Sequence, residues 1–322
     1  MKAIVHDTYG SPDVLKLRDV EKPAVGADTV LVRVHAAAVN PADWHFTTGL
    51  PYLIRTASGL GKPKIAIRGR DVAGTVEAVG ENVKQLRPGD EVYGEVDGGS
   101  FAEYVCVSED MLDPKPDNLT FEQAATVPLA ANTALQGLRD TGKVQAGQKV
   151  LINGASGGVG TFAVQIAASM GAEVTGVCST RNVDMVRSIG ADHVIDYTGQ
   201  DFTRSGDHYD LIFDLVGNLP LPDCRRALTP DGMLILSAGQ GGRWFGPVGR
   251  IVKALALSAF VGQKLVPLAA KRSKERLAAL TDLIEAGKVT PIIDRTYPLS
   301  EVPEAIRYVG EGHAQGKIVI TV

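Results

Sequence analysis

Lys149-Val150-Leu151-Ile152-Asn153-Gly154-Ala155-Ser156-Gly157-Gly158-Val159-Gly160 is the stretch that decides the fold. Residues 149–152 form a short apolar run, the mark of a strand buried on both faces. A glycine-rich turn follows, and residues 159–170 then read as a helix. A dinucleotide-binding turn wants small residues at three places: in the tight turn, where the backbone approaches a pyrophosphate, and where the helix packs on the strand. Ala155, Gly157 and Gly160 have that spacing, with alanine in the first place. The helix N-terminus then offers free N–H groups and a partial positive charge to the pyrophosphate. Ala155, Ser156, Gly157, Gly158, Val159 and Gly160 are therefore candidates for cofactor contact.

Outward from this turn, strands alternate with helices. Residues 173–177, 193–195, 209–215 and 232–237 read as further strands. Residues 181–189 read as a helix that Gly190 ends. Such alternation implies parallel βαβ units, lasting to about residue 240. Cofactor choice is written at the end of the second strand, where an NAD site usually carries Asp or Glu. That place holds Val177-Cys178-Ser179-Thr180-Arg181, without a carboxylate. Two hydroxyls and a guanidinium at Ser179, Thr180 and Arg181 suit the 2′-phosphate of NADPH. Val216 and Gly217, after the fourth strand, and Ala238 and Gly239, after the fifth, are further candidates for cofactor contact.

Upstream the texture is different. Val30-Leu31-Val32-Arg33-Val34 and Gly74-Thr75-Val76-Glu77-Ala78-Val79 are short strand-like runs. Turn signals at 81–82, 87–90 and 97–99 separate such runs, which suggests a barrel or sandwich over residues 1–125. Strand character returns at 317–322. With 322 residues, two domains are favoured over one. The net charge of −4 argues against a nucleic-acid protein, which needs a concentrated basic surface. Cys106, Cys178 and Cys224 are far apart and odd in number, so they suggest neither a disulfide framework nor a paired zinc site. The N-terminus lacks the apolar core of a signal peptide, and no uninterrupted apolar run is long enough to span a bilayer. A soluble, cytoplasmic protein is expected.

The glycine-rich motif continues as Thr161-Phe162-Ala163-Val164-Gln165. Together with it, four more stretches carry a family resemblance: Met1-Lys2-Ala3-Ile4, Ala38-Val39-Asn40-Pro41-Ala42-Asp43-Trp44, Arg87-Pro88-Gly89-Asp90-Glu91-Val92-Tyr93-Gly94 and Gly316-Lys317-Ile318-Val319. Ala130-Ala131-Asn132-Thr133-Ala134 adds to it. Along its whole length the chain resembles the zinc-free medium-chain dehydrogenase/reductases, the group of quinone oxidoreductases, zeta-crystallin and alkenal reductases. It is most similar to the branch with the reticulon-interacting mitochondrial reductase and the chloroplast-envelope quinone oxidoreductase homologues. The resemblance implies a GroES-like β-barrel domain over residues 1–125 and 290–322. It also implies a Rossmann doubly wound parallel sheet over 126–289, an active site in the cleft between them, and a homodimer formed through the Rossmann domains.

Zinc-dependent relatives place Cys at Asn40 and a His-Glu pair at Arg70-Asp71; neither Asn nor Arg is a usual zinc ligand. No metal is expected. Without a Lewis acid to stabilise an alkoxide, acceptors that draw hydride unaided are favoured, namely small lipophilic quinones and enones. The resemblance implies Asn40 as a hydrogen-bond donor to the substrate oxygen, and Tyr52 as a pocket residue that can donate a hydrogen bond or proton. It also implies Thr133 and Lys317 as cofactor contacts. Asp43 reads as structural, paired with Arg70. His45 reads as a surface residue or a proton donor. Two other functions remain open: reduction of one biosynthetic enone or enoyl thioester, and redox-responsive NADPH binding with little turnover. The segment 243–270, opened by the hinge-like Gly239-Gln240-Gly241-Gly242, has three readings: a helical pair in the core or dimer interface, a substrate lid, or a docking face for an anionic membrane.

Overall fold

The strand-like runs of the N-terminal half pair into a seven-stranded sheet in a computed structural model that describes residues 1–237, 243–258 and 260–322. Ala238, Gly239 and the stretch 239–242 lie outside the described residues. Chain contacts divide the molecule into two compact units. The first holds Met1–Asn132, Arg272–Gly287 and Pro291–Val322, and the second holds Thr133–Lys271 and Lys288–Thr290.

In the first unit the strand Thr29–Val39 is central. It pairs antiparallel with Asp71–Val79 on one side. On the other side it pairs antiparallel with Lys317–Thr321 near its C-terminal end and with Tyr104–Ser108 near its start. Asp71–Val79 pairs on to Glu91–Glu95, and that strand to Leu112–Pro114. Lys317–Thr321 also carries Ile293–Pro298, the one parallel pair of this sheet. The last stretch of the chain thus inserts beside the central strand, as β-branched Ile318, Val319 and Ile320 demand; all three are buried.

In the second unit all six strands are parallel. Their order is His193–Asp196, Glu173–Cys178, Lys149–Asn153, Tyr209–Asp214, Leu228–Leu236, Lys264–Pro267. In chain order this is 3-2-1-4-5-6, the doubly wound arrangement, and ligands bind at the carboxyl ends where the order reverses. Here the reversal lies between Lys149–Asn153 and Tyr209–Asp214, whose last residues are register partners. Residues 150–153 and 211–214 are buried throughout, which accounts for their unbroken apolar texture. The helix Gly158–Ser169 buries eight of its residues, among them Phe162, Val164 and Ile166.

Two boundaries differ from the sequence reading. A sixth strand, Lys264–Pro267, extends the parallel sheet beyond the expected end of alternation near 240. The segment Arg272–Gly287, expected in the Rossmann domain, belongs with the first unit. Its helix Lys274–Glu285 buries Leu277, Leu280 and Ile284. Thr281 meets the Tyr93 hydroxyl at 2.8 Å, and the Ile284 carbonyl accepts from Asn118 Nδ2 at 2.9 Å.

Candidate active site

Sheet register in the first unit brings three distant residues together. Asn40 follows the end of the central strand. Ile318 pairs with Val39 on one side and Asp71 with Ala38 on the other. Lys317, Asn40 and Asp71 are therefore neighbours, and all three are buried. Lys317 Nζ donates to Asn40 Oδ1 at 2.6 Å and approaches Asp71 Oδ2 at 3.3 Å. Asn40 Nδ2 donates to the same Asp71 oxygen at 2.9 Å. Asp71 Oδ1 accepts from the Leu129 backbone N–H at 2.9 Å. The ammonium is thus paired with a carboxylate that has several other donors, which is what keeps a buried ion pair tolerable.

This geometry gives Asn40 partners within the protein that the sequence reading did not foresee. Its amide oxygen is engaged by Lys317 and its amide nitrogen by Asp71, with Ala38 O at 3.4 Å as a further acceptor. The amide oxygen thereby orients the Lys317 ammonium. The expected Asp43–Arg70 pair is corrected. Arg70 pairs with Glu95 at 2.6 Å, while Asp43 accepts from the Asn40 backbone N–H at 2.8 Å. Asp43 thus ties the start of the helix Pro41–Thr48 to the residue before it.

A second buried polar group lies in the same unit. Arg68 Nε donates to His6 Nε2 at 2.9 Å. Burial, then the neighbouring Arg68 charge, lowers the His6 pKa to about 4. The unfolded chain protonates histidine near pH 6.5, so it binds more protons than the folded chain between that pH and about 4. His6 stability is therefore present above pH 6.5 and lost as pH falls through the window, by roughly 2–3 kcal/mol. Asp43 has the opposite sign: burial, reinforced by the Asp71 charge, raises it to about 6. Its contribution is present at low pH and lost as pH rises from its ordinary value through about 6. Urea midpoints measured across this range should flatten on the acid side in His6→Gln and steepen in Asp43→Asn. A His6→Gln protein with the wild-type acid slope contradicts this assignment.

Tyr52 begins a short 3₁₀ turn, Tyr52–Ile54, and is half-buried with the Arg55 guanidinium 4.9 Å from its ring centre. Arg55 also lies over Tyr9. His45 is half-buried, and its Nδ1 donates to the Leu50 carbonyl at 2.7 Å, which fixes the ring in the loop before Tyr52.

In the second unit, the tight turn is made by Gly154, with φ of +90°, one place before the expected position. Ala155 is fully buried, its backbone N–H bonded to the Val177 carbonyl at 3.0 Å. Gly157 caps the helix, and Gly158, Val159 and Gly160 form its first turn, whose N–H groups have no acceptor within the helix. A Cβ on Gly160 would stand 2.0 Å from Gly154 O, so helix and strand approach as closely as the motif requires. This cradle fits a pyrophosphate. Ser156 Oγ accepts from Asn182 Nδ2 at 2.9 Å, which ties the turn to the end of the second strand.

Ser179 is half-buried there, and Thr180 and Arg181 are exposed. The Thr180 hydroxyl donates to Asp196 at 2.6 Å, and the Ser179 hydroxyl accepts from Asn182 Nδ2 at 3.2 Å. The backbone N–H groups of Val216 and Gly217 are turned onto Asp214 Oδ1, at 3.2 and 2.9 Å. Thr133 is buried in the helix Pro128–Leu135.

Known proteins share this arrangement. Residues 26–117 match the alcohol dehydrogenase GroES-like domain, and residues 189–320 match a zinc-binding dehydrogenase model. The chloroplastic NADPH-dependent alkenal/one oxidoreductase of Arabidopsis thaliana is 36% identical over 334 residues, covering 99% of this chain and 79% of that one. The chain belongs to the medium-chain dehydrogenase/reductase family. Within that family it falls in the quinone oxidoreductase and alkenal reductase group. The chloroplast envelope quinone oxidoreductase homolog of Arabidopsis thaliana is 32% identical, with 99% of this chain and 98% of that one covered. The solved quinone oxidoreductase of Coxiella burnetii superposes with a TM-score of 0.87 at 31% identity, covering 100% of this chain and 99% of that one.

The medium-chain fold thus carries the GroES-like and Rossmann units expected. The matching family model is named for zinc, but the residues at the metal-bearing positions do not fit the ion. Asn40 is bonded at both amide atoms, and the positive charge beside Asp71 is the Lys317 ammonium. Among the described residues, no group of three or more His, Cys, Asp or Glu side chains could hold a metal ion. Also among the described residues, no helix is long and apolar enough to cross a membrane.

Sequence reasoning did not connect Asp71 to Lys317, because only sheet register joins residues so far apart. It also passed over Asp214, the last residue of the fourth strand. Asp214 is buried and accepts from Asn153 Nδ2 at 2.8 Å and from Arg250 at 2.7 Å. The only hint in the sequence is a carboxylate ending an otherwise apolar strand.

Proposed function

We propose that this chain is an NADPH-dependent, metal-independent reductase of small lipophilic quinones or α,β-unsaturated carbonyl compounds. The carrying observation is the buried Lys317–Asn40–Asp71 cluster, which sets an ammonium beside two positions that the resemblance matches to zinc ligands of metal-dependent relatives. An ammonium is a weaker electrophile than zinc, so simple alcohols gain little here. Conjugated acceptors spread the incoming charge themselves. NADPH, when bound, supplies the hydride. The first turn of Gly158–Ser169 holds its pyrophosphate, Ser179 and Arg181 hold its 2′-phosphate, and Thr133, Val216 and Gly217 line its path. An ammonium has three N–H donors, and Asn40 and Asp71 take two of them. The third is the donor offered to the substrate oxygen, with Asn40 as the residue that positions it. Tyr52 borders the substrate. The names of relatives at 31–36% identity, an alkenal/one oxidoreductase and quinone oxidoreductases, support this reading, while a solved enoyl reductase is similar at 25% identity. The outer edge of Lys264–Pro267 ends the parallel sheet and supports pairing with a second copy there.

Turnover of NADPH with a panel of quinones, alkenals and enoyl thioesters after exhaustive chelation tests the proposal. Quinones or alkenals should be reduced at an undiminished rate. NADPH binding with no turnover of any acceptor would favour a regulatory role instead. Arg181→Ala should lower kcat/KM for NADPH by about tenfold or more while leaving NADH use unchanged, since a charge-assisted contact is lost. Equal use of both cofactors by the wild-type protein would contradict the assignment of Ser179 and Arg181.

A further inference from the structure

Asn182 stands directly before the helix Val183–Ser188, where an asparagine ordinarily caps the first turn through its side-chain oxygen. Here the side chain makes no capping bond. Asn182 is exposed by only 3%, and its Oδ1 is buried without a hydrogen-bond partner. A buried amide carbonyl left unpaired costs free energy, so this orientation needs a reason. The reason lies on the nitrogen side of the amide. Nδ2 donates to Ser156 Oγ at 2.9 Å and to Ser179 Oγ at 3.2 Å. Ser156 belongs to the glycine-rich turn, and Ser179 follows the strand Glu173–Cys178. Both serines are half-buried. The Asn182 backbone is fixed as well, its N–H donating to the Ser179 carbonyl at 2.9 Å.

We infer that Asn182 is a positioning residue that makes two serine hydroxyls donors for the pyrophosphate and the 2′-phosphate of the cofactor. The inference rests on the NADPH reading proposed above. A serine hydroxyl has one proton and can accept as well as donate. With its oxygen accepting from Asn182, each hydroxyl keeps its proton for a ligand. Among the described residues, neither hydroxyl donates to a protein acceptor. Phosphate oxygens at neutral pH are acceptors, so they require hydroxyls arranged in this way. The opposite amide orientation would take up both serine protons and turn oxygen lone pairs toward the phosphates. Asn182 is buried and acts through the serines. One side chain thereby serves both phosphate sites. NADPH, which carries both groups, depends on it more than NADH, which carries only the pyrophosphate.

Fluorescence titrations with NADPH and NADH across a mutant cycle test this. Asn182→Leu removes the amide at similar volume. It should lower NADPH affinity by roughly tenfold, because two charge-assisted donors lose their preset orientation. NADH affinity should fall by a smaller factor, since Ser156 alone is then involved. In a protein that already carries Ser156→Ala and Ser179→Ala, Asn182→Leu should have no further effect on NADPH affinity. Urea midpoints of every variant keep folding separate from binding, and Asn182→Ala takes the place of Asn182→Leu in the cycle if the leucine variant does not fold. An affinity loss of the same factor with and without the serines would make Asn182 purely structural and overturn the inference. Unchanged NADPH affinity in the single variant also overturns it. These outcomes leave the cofactor reading standing, whereas wild-type protein that binds neither dinucleotide would remove that reading and this inference with it.

Discussion

Lys317→Met lowers the unfolding free energy by about 3–5 kcal/mol, since breaking a buried ion pair leaves one charge uncompensated. The stranded group is Asp71, fully buried and held by Asn40 and the Leu129 N–H after the ammonium is gone. Methionine fills much of the lysine volume, so the loss reflects charge more than a cavity. Lys317→Met combined with Asp71→Leu removes both charges and should recover much of the stability, because well-packed apolar replacement of a buried pair is often neutral. Turnover behaves differently. It should fall by about a hundredfold or more in both variants, as when a preorganised donor to a developing oxyanion is lost. Urea unfolding at pH 7, with the slope checked against wild type, separates stability from compactness. Recovery of stability without recovery of turnover marks the ammonium as a functional charge. Wild-type turnover in the double variant would make the cluster purely structural.

Gly160→Ala and Gly157→Ala should fail in different ways. A Cβ at Gly160 would lie 2.0 Å from Gly154 O and 2.9 Å from the Ala155 Cα, both backbone atoms that cannot swing aside. The helix Gly158–Ser169 must shift off its strand, so stability and NADPH affinity fall together, affinity by more than about tenfold. At Gly157 the nearest atom to a Cβ is Gly154 O at 3.5 Å, an ordinary contact. The folded protein accepts that methyl. A pyrophosphate lying against the turn does not, because the second small residue of the motif is where the backbone meets it. Gly157→Ala should therefore keep the wild-type urea midpoint and lose NADPH affinity. Fluorescence titration with NADPH beside unfolding curves reads both effects. Unchanged NADPH affinity in Gly157→Ala would detach this turn from the cofactor.

Much of the fold was legible because parallel sheets bury both faces and mark their strands with continuous apolar runs. The turn at 153–160 is surrounded by such runs, and Gly190, with φ of +108°, does end the helical stretch before it. Other strands hid for physical reasons. Leu228–Leu236 opens with Thr229-Pro230-Asp231-Gly232, which has the composition of a turn, and its pairing with Tyr209–Asp214 contains a register irregularity. Lys264–Pro267 is four residues long and lies at the sheet edge, so no periodicity can build up. The helix Lys274–Glu285 follows the Rossmann strands in sequence, yet packs with the first unit through side chains that local pattern does not reveal.

The candidate site was legible residue by residue and not as a network. Asn40, Lys317 and the phosphate-binding turn are visible as motifs. That Asn40 spends its amide on Lys317 and Asp71 depends on the register of three strands. Ser179-Thr180-Arg181 reads as three available groups, but Thr180 turns to Asp196 on the neighbouring strand. A hydroxyl that opens a turn after a strand has many acceptors to choose from, and only the packed sheet decides among them.

The central claim, metal-independent hydride transfer from NADPH to a conjugated acceptor, is tested most directly by isotope transfer. The protein, stripped of metal and shown by elemental analysis to hold less than stoichiometric zinc, is given NADPH deuterated at C4 and an enone substrate. The expected product carries deuterium at the β-carbon of the reduced enone, formed at the same rate with and without chelator. Product that carries no deuterium, or turnover that appears only after zinc is restored, would contradict the account.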